Sequence, residues 1–178
     1  MIRTRIAIVG LALLATACTG GKTEGSATTG TPTQDTPTST SSAAGDGKLA
    51  SVKPCELISS SEATTLELKS PEARRAAGTD TCEWTGTNRG GLTVSIDLKQ
   101  GADDYNFAGD TKVPVKAGKY EGYKVPAAKG DKGVCDVVIA VTGSSSVLLV
   151  GQTSLSAPDT EKACELATKS AELVAAKL

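Results

Sequence analysis

The chain has 178 residues, 19 basic against 20 acidic groups, five cysteines, one Trp, one Phe, three Tyr and no histidine. The length allows one ordinary domain plus tails, and the near-zero net charge argues against a nucleic-acid partner held by bulk electrostatics. Without an imidazole, Ser-His-Asp or Cys-His activation and His-ligated zinc are excluded, and no side chain has an ordinary pKa near neutrality.

The first element in chain order is an export signal. Arg3 and Arg5 give a charged start, residues 6–15 an apolar core, and Ala15, Thr16 and Ala17 lead directly into Cys18. The apolar stretch is shorter than the roughly 20 residues of a bilayer span, so a cleaved leader over residues 1–17 is expected in place of a retained membrane helix. A cysteine directly after the small-residue triplet resembles the bacterial lipobox, in which the thiol receives a diacylglycerol and the mature chain starts at the lipidated cysteine. Ala15 stands where that motif most often has leucine. On this resemblance Cys18 is the lipidation site. The mature protein is then exported, has the lipid bilayer as partner through acylated Cys18, and is held on the outer face of the cell membrane. The plainer alternative is ordinary cleavage after A-x-A followed by an incidental cysteine.

Residues 19–48 hold nine Thr, four Ser, six Gly, two Pro and three Ala, and no large apolar side chain. Such a segment cannot bury enough surface to offset ordering entropy, so residues 18–48 are expected to be the lipidated cysteine and a disordered tether with a root-mean-square span of about 30 Å. Ser and Thr near Pro32 and Pro37 suit either a plain linker or an O-glycosylated stalk.

Residues 49–178 form the single globular domain, and their four cysteines suit two disulfides in an oxidising compartment. Ser59, Ser60 or Ser61 can cap a short helix carrying Ala63, Leu66 and Leu68. Cys82 and Trp84 lie two apart on one strand face, and Leu92, Val94, Ile96 and Leu98 alternate with Thr93, Ser95 and Asp97 as in a half-exposed antiparallel strand. Residues 101–133 are less regular, with Tyr120, Tyr123 and Val125 suggesting one further strand. Residues 134–142 and 147–153, separated by Gly143-Ser144-Ser145-Ser146, read as a hairpin of buried strands. The spacing predicts a helix over residues 158–178, with Pro158 in its first turn and Cys164, Ala167, Ala171, Val174 and Leu178 on one stripe. Cys135 shares a strand face with Val137 and Ile139, so a helix laid back over that face brings Cys164 to it. Sequence nearness favours Cys135-Cys164 among the three connectivities, which leaves Cys55-Cys82. The sum is an α+β fold: an antiparallel β-sheet packed with a short N-terminal helix and a C-terminal amphipathic helix.

Several elements together carry a family resemblance. Cys18, the Thr/Ser-rich tether, Pro54-Cys55-Glu56-Leu57-Ile58 followed by Ser61-Glu62-Ala63, Thr81-Cys82-Glu83-Trp84, the central Cys135 and the late Cys164 resemble the actinobacterial cell-envelope lipoproteins classed as domain of unknown function 3558. The resemblance implies an exported, lipid-anchored, two-disulfide α+β domain, and it implies no activity. More loosely, the design is similar to the disulfide-braced extracellular sensor domains of mycobacterial receptor kinases.

No S-x-x-K, Walker A or G-x-G-x-x-G motif occurs, so no catalytic residue, cofactor or metal is expected. Asp103, Asp104 and Asp110 lack the spacing of a calcium loop and read as a solvated acidic turn. Lys112, Lys116, Lys119, Lys124, Lys129 and Lys132 form a local excess that suits either a soluble loop region or a docking surface for anionic envelope polymer or lipid. Tyr105, Phe107, Tyr120 and Tyr123 are the candidate ligand cleft, with core packing as the alternative. The expected function is a noncatalytic, membrane-anchored envelope lipoprotein whose domain binds a ligand, an envelope polymer, a lipid or a partner protein. The alternatives are a carboxylate-dependent enzyme acting on envelope glycan or lipid, and a ligand-sensing accessory of a transporter or kinase.

Overall fold

The computed structural model describes residues 44–76, 78–86 and 90–178; Cys18, the leader and the tether up to residue 43 lie outside the described residues. The first described element, α1 (Ala44–Leu49), begins inside the stretch that composition assigns to the tether. The reason is its end: Leu49 is buried in the core and the Lys48 ammonium donates to the main-chain oxygen of Leu178, so order spreads back from an apolar anchor into polar sequence.

A 3₁₀ turn at Pro54–Glu56 leads to α2 (Ser60–Thr65). Ser59 and Glu62 cap α2 reciprocally: the Glu62 amide donates to the Ser59 hydroxyl, and the Ser59 amide donates to the Glu62 carboxylate at 2.7 Å. Seven described strands follow: β1 (Leu68–Ala76), β2 (Thr79–Gly86), β3 (Gly91–Asp97), β4 (Val113–Ala117), β5 (Tyr120–Pro126), β6 (Val134–Ala140) and β7 (Ser146–Gln152). They form one antiparallel sheet in the order β1-β2-β3-β7-β6-β5-β4. The chain ends in α3 (Thr160–Ala175), capped by Asp159, whose side chain accepts from the Lys162 amide at 3.1 Å. Pro158 therefore precedes the cap instead of filling the first turn.

One face of the sheet is the main core. Cys82 and Trp84 of β2, Leu92, Val94 and Ile96 of β3, Val137 and Ile139 of β6, and Val147 and Leu149 of β7 pack there with Ala167, Ala171 and Val174 of α3. Helix α3 lies over β4 to β7, and the 3₁₀ turn with α2 covers β1 to β3. Gly151 of β7 permits the close approach of α3, because a Cβ there would stand 2.3 Å from the Ala163 carbonyl oxygen. A smaller cluster occupies the opposite face, where Phe107, Tyr123, Val125 and Val138 are buried with Ala102 and Ala128. This double cover explains why β6 is apolar at successive positions: Val137 faces α3 while Val138 faces Tyr123 and Phe107.

Three elements depart from the sequence expectation. Leu68 opens β1 instead of continuing α2, and β1 itself is an exposed edge strand of charged residues with no apolar alternation to announce it. Residues 101–133 contain two strands, β4 and β5, where one was expected. Leu98 lies beyond the end of β3 and is 41% exposed, because the ladder with β7 stops at Asp97. Both edge strands carry a proline, Pro71 in β1 and Pro114 in β4, and β1 is further bulged between Lys69 and Glu72. These features blunt both edges against pairing with another chain.

Candidate functional site

Two disulfides staple the helical layer to the sheet. Cys55, in the 3₁₀ turn, is bonded to Cys82 of β2 with Cα atoms 5.0 Å apart, and Cys135 of β6 is bonded to Cys164 of α3 at 4.9 Å. The first pins the N-terminal segment and the second pins the first half of α3. Between the segment that leads from α2 into β1 and the first half of α3 runs an open groove of about 910 Å³.

One wall of the groove is the passage from α2 into β1, residues 65–68; the other is the first part of α3, with Lys162, Glu165, Leu166 and Lys169. Gly86, Gly91 and Gln152, at the ends of β2, β3 and β7, lie between them. The loop after β7 closes one end, contributing Thr153, Ser154, Ala157, Pro158 and Asp159. That loop is held by hydrogen bonds. The Asp159 amide donates to the Thr153 hydroxyl at 2.9 Å, the Thr153 amide to the Gly133 carbonyl at 2.8 Å, and the Gly133 amide to the Thr160 hydroxyl at 3.0 Å. At its tip Leu155 is 93% exposed.

The α3 wall carries its charges as pairs: Lys162 with Asp159 at 3.6 Å and Lys169 with Glu165 at 2.6 Å. The Lys169 ammonium holds the Glu165 carboxyl below its usual pKa. Leu66, Leu68 and Leu166 supply apolar surface beside these pairs. The walls thus combine leucine surface with charged pairs over a floor of glycines and Gln152, a mixture of apolar and polar groups that a binding cleft can use. Among the described residues no group of three or more Cys, Asp or Glu side chains is disposed to hold a metal ion.

The aromatic grouping expected from the sequence is divided by the fold. Tyr105 stacks on Phe107 with centroids 6.1 Å apart, and Phe107 meets Tyr123 edge-on at 5.9 Å. These three rings fill the second core in place of lining a cleft: the Tyr123 hydroxyl donates to the Ala102 carbonyl at 2.6 Å, and the Tyr105 hydroxyl lies 3.2 Å from that of Ser146. Burial raises the pKa of both tyrosines, that of Tyr123 to about 12. Tyr120 sits three residues before Tyr123 and therefore packs on the opposite face, against the main core.

The acidic turn is structural. The Asp104 carboxylate accepts from the Gly101 amide at 2.8 Å, and that of Asp110 from the Lys129 amide at 3.1 Å. Lysines of the 112–132 region are dispersed: Lys112 lies 4.3 Å from the Tyr123 ring centroid, Lys119 4.9 Å from that of Tyr120, and Lys116 pairs with Glu121 at 3.5 Å.

The groove is not legible in the sequence, because its residues come from three separated stretches and include no aromatic ring or motif. Sequence reasoning also passed over Asp136, on the face of β6 opposite α3. Burial raises this carboxyl to a pKa of about 6, with nearby Lys129 opposing the rise and Asp110 adding to it.

No curated protein and no solved structure matches the chain. The family model described as protein of unknown function DUF3558 matches residues 13–177, nearly the whole sequence, and the chain therefore belongs to that family.

Proposed function

We propose that this chain is an exported actinobacterial envelope lipoprotein, anchored through acylated Cys18, whose domain is a noncatalytic binding module that takes a ligand into the groove beside α3. One observation carries the binding half: an open groove of about 910 Å³ has one wall, the start of α3, stapled to the sheet by Cys135-Cys164, and the other, residues 65–68, running directly from the capped helix α2 into strand β1. A cleft fixed in this way loses little conformational freedom when a ligand enters, which favours affinity. The anchoring half draws on Arg3, Arg5, the apolar residues 6–15 and the small-residue approach to Cys18.

Native mass spectrometry of a Cys18→Ser chain incubated with fractionated envelope extract tests the binding half. A retained small molecule that disappears in Leu166→Glu is the expected result, and equal retention by both chains would place the ligand elsewhere. For the anchor, metabolic labelling with a lipid precursor should mark the wild-type chain and leave Cys18→Ala unlabelled. Equal labelling of the two would remove Cys18 as the site.

A second reading, a carboxylate-dependent enzyme acting on envelope glycan or lipid, draws on Asp136, whose raised pKa suits a general acid. Turnover of such a substrate that is abolished by Asp136→Asn in a folded chain would select it over the binding module.

A further inference from the structure

We propose that the turn over residues 127–133 is a pH-sensitive latch: it is closed while Asp136 beneath it is protonated, and ionisation of Asp136 loosens it together with the loop that closes one end of the groove. The latch is a property of the fold; its bearing on ligand entry rests on the groove reading above.

The turn is held against its local preference. Ala127 and Lys129 have φ +50° and +58°, the left-handed region that costs a side-chain-bearing residue energy, and Gly130 and Gly133 share it. Such a backbone persists only where its surroundings fix it. Three contacts do so. The Ala127 amide donates to the Val134 carbonyl at 2.9 Å, Ala128 is buried in the second core, and both oxygens of the Asp110 carboxylate accept from the Lys129 amide, at 3.1 and 3.2 Å.

Asp136 is half-buried beside this clasp, on the β6 face that also carries Val138. Its charged neighbours among the described residues are the Lys129 ammonium, from the turn, and the Asp110 carboxylate, from the loop before β4; Tyr123 faces it from β5. Its partners across the strands, Val125 and Val150, carry no charge. The 3₁₀ turn Ala102–Asp104 also packs on β6; the charge of its Asp103 acts on Tyr123, and Asp104 accepts from the Gly101 amide. Asp131 and Lys132 of the latch turn are exposed. Burial favours the neutral acid, Asp110 adds to this and Lys129 opposes it. Once the carboxyl ionises, linkage favours any opening of the turn that admits water to it.

The end of the turn carries that movement to the groove. Buried Gly133 accepts from the Thr153 amide at 2.8 Å and donates to the Thr160 hydroxyl at 3.0 Å, and both threonines line the groove. A Cβ at Gly133 would stand 2.7 Å from the Thr153 hydroxyl oxygen and 3.0 Å from Pro158. The junction has no slack, so turn and loop move together.

The test follows amide chemical shifts and hydrogen-exchange protection factors against pH in the full chain with Cys18→Ser. Gly133, Thr153 and Thr160 should share one inflection near pH 6. Between about pH 5 and pH 7, protection over residues 127–133 should fall by up to about tenfold, the limit that linkage sets for a carboxyl at about 6 against its ordinary 3.8. Asp136→Asn should abolish the inflection and hold protection at its acid value. Asp110→Asn should move the inflection to lower pH and Lys129→Gln to higher pH, opposite shifts that a merely structural role for Asp136 does not produce. An inflection confined to residues 134–138, or one that survives Asp136→Asn, would overturn the latch and leave the groove reading standing. A shared inflection with no ligand retained in the mass-spectrometric test above would overturn the groove reading and leave the latch.

Discussion

The ammonium of Lys177, next to the last residue, is shared between the carboxylate of Glu62 in α2 and the carbonyl of Leu57, which accepts at 2.7 Å. It ties the C-terminal end of α3 to the N-terminal segment across 115 positions of sequence. The pair is only partly solvated, with side chains 31% and 25% exposed, and the same carboxylate also caps α2 through Ser59. The hydrogen bond from Lys177 is the largest cause holding the Glu62 pKa down at about 2, with those from Ser59 next.

A depressed acid pKa stabilises the fold above its ordinary value of 4.5 and ceases to do so as pH falls toward 2. Glu62→Gln should therefore lose at most about 3 kcal/mol at pH 7 and nothing near pH 2. Urea unfolding at both pH values checks this. An equal loss at pH 2 would mean that the carboxylate charge is not what matters.

Asp136 works in the opposite direction. Its folded pKa of about 6 lies above the ordinary 3.8, so its charge disfavours the fold at neutral pH, and the penalty fades as pH falls through 6. Partial solvent access screens the effect to about 1 kcal/mol. Asp136→Asn should raise the unfolding free energy by that amount at pH 7 and leave it unchanged near pH 4.

Gly151→Ala places a methyl group 2.3 Å from the Ala163 carbonyl, so α3 must move. A loss of about 2 to 3 kcal/mol is expected by thermal or chemical denaturation, accompanied by altered shifts along the α3 wall of the groove.

Each disulfide spans a similar length of chain, 27 and 29 residues, and chain entropy assigns about 3.5 kcal/mol to either. Replacing both cysteines of one pair by alanine should thus have comparable effects on stability. Hydrogen exchange separates the pairs: loss of Cys135-Cys164 should expose the first turns of α3, and loss of Cys55-Cys82 the segment from the 3₁₀ turn to α2.

Ser170 of α3 is fully buried, and its hydroxyl has no hydrogen-bond partner among the described residues. Removing it in Ser170→Ala relieves an unpaid desolvation, so unfolding should become less favourable by about 1 kcal/mol. A loss of similar size would show that the hydroxyl is satisfied in solution.

The sequence by itself determined the α+β class, the antiparallel strands β3, β6 and β7, the helix α3 and its buried stripe. In each, apolar residues recur at the period of the element, and periodicity is a local property. The cysteine pairing was legible for a related reason: Cys135 and Cys164 sit on facing stripes of adjacent elements. Only the tertiary structure decided what is nonlocal. Strand β1 is held by pairing with β2 and not by its own pattern, so its charged residues gave no sign of it. Tyr120 and Tyr123 parted because side chains an odd number of residues apart on a strand point to opposite faces, and which face is covered by what depends on the whole chain. The groove was hidden for the same reason: Glu67, Gly91, Gln152 and Leu166 share nothing in sequence, and they meet because β3 and β7 pair at Gly91 and Gln152 and Cys135-Cys164 holds α3 over that end of the sheet.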